Sequence, residues 1–181
     1  MSSPLTLHLF GILCAHEGRY EEAEDAFLRA VESDPKMAGS YVELGLVYAC
    51  RGEYPKMVEA LRQAVAVGPG GVRAYLGERP FGDLTAAAGA PDAPGQAAPD
   101  AEGVGVGVAL LLTSATSHLA QGRDDEAVVI LEHELGNKAS RPPEVVALLA
   151  LTYLLRGEGM EADEGGIRRA PTTAGGRARD R

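Results

Sequence analysis

The chain has 181 residues, 45% of them hydrophobic, and a net charge of −9. That suits one globular domain with a sizeable core and argues against a surface built to hold phosphates. Nucleic-acid binders carry a basic stripe because counterion release supplies much of their affinity; here the one dense basic run is Arg168, Arg169, Arg177, Arg179 and Arg181.

The first 35 residues read as two helices and a turn. Leu7, Phe10, Gly11 and Cys14 fall on one helical face. Gly18-Arg19-Tyr20 follows, where glycine can end a helix in the left-handed region. Ala23, Ala26, Phe27, Ala30 and Val31 trace a second amphipathic helix, and Pro35 closes the unit because proline cannot continue one. Small residues such as Gly11 and Ala23 permit close approach, and Phe27 fills the gap between the helices. A shift of 34 residues repeats the pattern, bringing Gly11 onto Gly45, Gly18 onto Gly52, Tyr20 onto Tyr54, Ala30 onto Ala64 and Pro35 onto Pro69. Each unit is a helical hairpin, and the hairpin recurs.

The two units resemble the tetratricopeptide repeat. The first supplies Leu7-x2-Phe10-Gly11-x2-Cys14, Ala23-x3-Phe27 and Pro35; the second supplies Tyr41-x2-Leu44-Gly45-x2-Tyr48, Met57-x3-Leu61 and Pro69. Val72 to Leu76 could begin another helix, but Pro80, Pro91, Pro94 and Pro99 interrupt it. The pattern returns with Leu111, Ala115 and His118, the Gly122-Arg123 turn and Ala127-x3-Leu131. A fourth unit starts at Pro142-Pro143, continues through Val146, Leu149, Ala150 and Tyr153 to Gly157, and then meets Gly165-Gly166. The charge-free run 103–122 reads as a buried repeat helix rather than a membrane span, because Thr113, Ser114, Thr116, Ser117, His118 and Gln121 interrupt it.

The expected fold is therefore all-α, a helix-turn-helix repeat solenoid broken by an Ala/Pro/Gly-rich insertion. Its expected parts are two well-matched hairpins over 1–70, a flexible insertion or eroded repeat over 71–104, degenerate hairpins over 105–164, and a disordered Gly/Arg-rich tail over 165–181.

No catalytic or metal constellation emerges, and no cofactor is implied. His8 and His16 are eight apart, too far for chelation at i and i+4; Cys14 stands where the family has Tyr and reads as a packed thiol. The acids Glu21, Glu22, Glu24 and Asp25 open a helix, where its dipole favours them. Cys14 and Cys50 make no disulfide framework, and the start shows no secretory pattern, so the cytoplasm is the expected location.

The resemblance implies protein binding in a concave groove lined by first helices. Groove positions would be Leu5, His8, Ile12, Ala15 and His16 in the first unit, Val42, Leu46, Ala49 and Cys50 in the second, and Leu112, Thr116 and Leu119 in the third. Most are apolar or small, suiting an apolar or amphipathic partner segment. The branch of the family that holds acidic C-termini is not matched, since these places carry no Lys or Arg. The expected partner is a protein or peptide, with no nucleic acid and no membrane. The alternative is a self-associating piece of a larger helical assembly, a homo-oligomer among the options; a helical-repeat RNA binder ranks below both, against the acidic charge.

Overall fold

Four glycines set the rhythm of the chain. Gly18, Gly52, Gly122 and Gly157 have φ of 73°, 72°, 75° and 75°, the left-handed region that favours glycine. At each, the following residue donates its N–H to the carbonyl five residues earlier: Arg19 to Cys14 at 2.9 Å, Glu53 to Tyr48 at 2.8 Å, Arg123 to His118 at 2.9 Å and Glu158 to Tyr153 at 2.9 Å. This closure satisfies carbonyls that a helix end leaves open. The repeat is thus written four times in the backbone.

The computed structural model describes residues 3–78, 101–137, 142–163 and 166–169. Helices α1 (Pro4–His16) and α2 (Tyr20–Ser33) form the first hairpin, α3 (Ala38–Cys50) and α4 (Tyr54–Val67) the second. Then come α5 (Pro69–Glu78), α6 (Ala101–Ala120), α7 (Asp124–Asn137), α8 (Pro143–Leu155), and strands β1 (Met160–Asp163) and β2 (Gly166–Arg169). The fold is all-α with one small antiparallel strand pair, Met160 opposite Arg169 and Asp163 opposite Gly166.

Glycine notches hold the first two hairpins shut. A Cβ on Gly11 would stand 2.7 Å from Phe27 Cε1, and one on Gly45 would stand 2.6 Å from Leu61 Cδ2. Both bulky partners are buried, so the notch lets a large side chain fill the seam at close helix approach. Between hairpins, Tyr48 donates its hydroxyl to Glu24 Oε1 at 2.9 Å and Arg51 pairs with the same carboxylate. The fourth unit repeats the device, with Tyr153 donating to Glu132 and Arg156 Nη2 3.2 Å from Asp125 Oδ1.

Three places add detail to the expected organisation. Residues 69–78, at the start of the expected insertion, are helical, and the next helix begins at Ala101; residues 79–100 lie outside the described residues. After Gly157 the fourth unit makes β1 and β2 where its second helix would stand. Strand β2 falls at the head of the expected disordered tail, whose remainder, 170–181, lies outside the described residues. The hairpin is anchored rather than loose. Met160 is buried and its carbonyl accepts from Arg62 Nη2 at 3.0 Å, while the Arg169 guanidinium lies 4.9 Å from the centre of the Tyr153 ring.

Candidate functional site

The site to build is the inner face of the first helices. Its chemistry starts from α3, whose residues Ala38–Ala49 are all buried except Tyr41. A helix buried all round must be covered on more than its hairpin side. Here α1, α2 and α4 pack on it as repeat geometry requires, and α5 and α8 pack on it as well.

Helix α5 lies over the N-terminal half of α3. Its Tyr75 ring stands directly above Gly39, where a Cβ would come within 2.7 Å of Cδ2. The same ring meets His8 of α1 edge-on at 5.8 Å, and its hydroxyl donates to Glu43 Oε1. His8 Nδ1 is 2.9 Å from Ser40 Oγ, and the His8 ring tilts against Phe27 at 5.6 Å. One tyrosine from α5 therefore touches the first helix of both hairpins. Of the polar groups beneath it, all buried, His8 and Ser40 are hydrogen-bonded to each other and Glu43 accepts from Tyr75.

Helix α8 covers the other end. It packs on α3 and α4 as well as on its sequence neighbour α7, and every residue from Glu144 to Leu154 is buried. Burial raises the Glu144 carboxyl above its ordinary value of 4.5. Burial, with the nearby Glu144 carboxyl adding to it, pushes the Cys50 thiol up to about 11; burial followed by Cys50 pushes Tyr20 up to about 12. Cys14 is fully buried and its thiol is likewise raised by burial. Both thiols are protonated at neutral pH, the opposite of what a nucleophile needs.

The expected groove residues divide accordingly. In the first unit Leu5 is exposed, Ile12 and His16 are half-buried, and His8 and Ala15 are buried. In the second, Val42, Leu46 and Ala49 are 1 to 3% exposed and Cys50 is half-buried. In the third, Leu112, Thr116 and Leu119 are buried where α6 meets α5 and α7. Arg73 of α5 fixes that junction, donating to Leu119 O at 2.6 Å and to both carboxylate oxygens of Asp124 at 2.6 and 2.7 Å. In the second and third units these positions are therefore covered by other helices of the same chain, Cys50 only in part.

Sequence reasoning missed Tyr75, Arg73 and Glu144, which make these contacts. The available signal was the apolarity of α8 on every side, since Val145, Leu148 and Leu151 lie off the face that the repeat pattern uses. Among the described residues no three His, Cys, Asp or Glu side chains gather as a metal site, and no helix is long and apolar enough to cross a membrane.

Residues 6–37 match the family model described as a tetratricopeptide repeat, a span that takes in nearly all of α1 and the whole of α2. No curated protein and no solved structure matches the chain. Repeats of this family generally mediate contacts between proteins.

Proposed function

We propose that this tetratricopeptide-repeat chain is a non-catalytic scaffold that receives an apolar or amphipathic helix from a partner protein against its concave face. The observation that carries the reading is the burial of α3, which already takes α5 and α8 of the same chain against it. A surface that packs two helices of its own offers the side chains and spacing of helix-in-groove recognition. Leu5, Ile12 and His16 on α1 continue that surface in accessible form and give a partner its first foothold. Val42, Leu46 and Ala49 then become available to the extent that α8 yields its place. The two free thiols, Cys14 and Cys50, fit a cytoplasmic setting.

The test uses α8 as its own probe. In a full-length Leu148→Glu/Leu151→Glu variant, two carboxylates at buried positions dislodge α8 from α3 and α4. A fluorescent peptide of residues 142–157, flanked by lysines for solubility, should bind this variant with micromolar affinity and wild type far more weakly. Adding Val42→Glu should abolish the binding. A variant that keeps its helical circular dichroism yet ignores the peptide would overturn the proposal.

A further inference from the structure

The fourth unit closes differently from the first two. Phe27 and Leu61 fill the seams against Gly11 and Gly45, and each stands nine residues after its turn glycine, Gly18 or Gly52. The same step from Gly157 reaches Gly166, which has no side chain to fill a seam. Strands β1 and β2 stand there instead of a second helix.

The strand pair reaches two units that are far apart in sequence. Towards the second unit, β1 packs on α4: Met160 is buried, and its carbonyl accepts from Arg62 Nη2 at 3.0 Å across 98 residues. Towards the fourth, both strands meet α8. There the Arg169 guanidinium lies 4.9 Å from the centre of the Tyr153 ring, and Arg169 Nη2 is 2.5 Å from Glu158 Oε2 just beyond the end of α8. Ala162 and Ile167, one from each strand, pack partly buried against the core.

From this we infer that β1 and β2 form an autoinhibitory latch, which fastens α8 to α4 and so sets how often α3 opens to a partner helix. The inference rests on the proposal that a partner takes the place α8 now holds. The other fastenings of α8, Tyr153 to Glu132 and Arg156 to Asp125, run to α7, its sequence neighbour, and α8 keeps them when it leaves α3 and α4 together with α7. The strand pair cannot keep both of its anchors in that movement. Either Met160 and the Arg62 hydrogen bond are given up on the α4 side, or Arg169 leaves Tyr153.

The hold is also of a size that a partner can overcome. Among the described residues of the two strands, Met160 is the one side chain buried outright, while Glu161, Asp163, Arg168 and Arg169 are exposed. A partner that needs α8 displaced binds with its intrinsic affinity reduced by the fraction of chains that stand open. Loosening the latch raises that fraction without altering the surface of α3 itself.

Full-length proteins test this by amide hydrogen exchange and by titration with the fluorescent peptide of residues 142–157. In Met160→Glu, exchange in α8 should speed up while α1 and α2 keep their wild-type rates, and the peptide should bind about tenfold more tightly than to wild type. In the Leu148→Glu/Leu151→Glu background, where α8 is already dislodged, adding Met160→Glu should leave the affinity unchanged. Arg62→Met, which spares the packing of Met160, should move exchange and affinity in the same direction by less. Wild-type exchange and affinity in both Met160→Glu and Arg62→Met would overturn the inference. So would exchange accelerated equally in every helix, the mark of a strand pair that only supports the fold. Fast exchange confined to α8, with a peptide that binds none of these proteins, would uphold the hold on α8 and overturn the groove reading instead.

Discussion

Glu144 is the residue whose surroundings make the sharpest demand on the fold. It sits in the first helical turn of α8, where the helix dipole favours a carboxylate, yet burial outweighs that help and raises its pKa. The folded chain therefore holds this proton to higher pH than the unfolded chain does. Stability from this group is fully present below the ordinary value of 4.5 and falls as pH rises through the raised one. Once ionised, the carboxyl opposes the docking of α8. Glu144→Gln should melt higher than wild type at pH 7, and its melting temperature should change less between pH 4.5 and neutrality. Calorimetry at several pH values reads both effects; equal pH slopes in the two proteins would show that Glu144 is solvated rather than buried against α3.

At the scale of elements, two kinds of joint hold the helices. The tyrosine–carboxylate joints, Tyr48 to Glu24 and Tyr153 to Glu132, tie a first helix to the second helix before it. The Arg73–Asp124 joint ties α5 to the start of α7 across 51 residues. Hydrogen bonds to charged groups are worth about 1.5–3 kcal/mol, and Arg73→Met removes three at once while keeping the side-chain stem. The expected loss is about 1–3 kcal/mol, concentrated in α6 and α7. Amide hydrogen exchange should speed up there and remain slow in α3 and α4; uniform acceleration would mean that the joint supports the whole fold.

The elements also differ in how far the sequence announced them. The four turn glycines were legible because a left-handed φ leaves few alternatives to glycine, and Gly11 with Phe27 was legible because a notch and its filler recur 34 residues later as Gly45 and Leu61. Helix α5 was only half visible, because it follows Pro69 at once and its ten residues carry just two buried apolar anchors, Val72 and Leu76. The strand pair was hidden: four residues with Met160 buried and Glu161 exposed give too short an alternation to separate from a loop.

Over the whole molecule, the limit on reading the site was long-range. Val42, Leu46 and Ala49 are buried, and periodicity along α3 is silent about what arrives from roughly 100 residues away. Helix α8 arrives there, and its apolar surface on all sides is the trace it leaves in sequence. The consequence is a chain whose α3 is covered on every side from within, while α1 keeps Leu5, Leu9 and Leu13 exposed.

The contact that defines this arrangement is Tyr75 over Gly39 and His8, and nuclear Overhauser effects report it directly. Strong cross-peaks are expected from the Tyr75 ring protons to the Gly39 α protons and to the His8 ring, with the Gly39 resonances shifted by the ring current. A Tyr75 ring with solvent-exposed chemical shifts and no contact to α3 would contradict the covering of α3 by helices of the same chain.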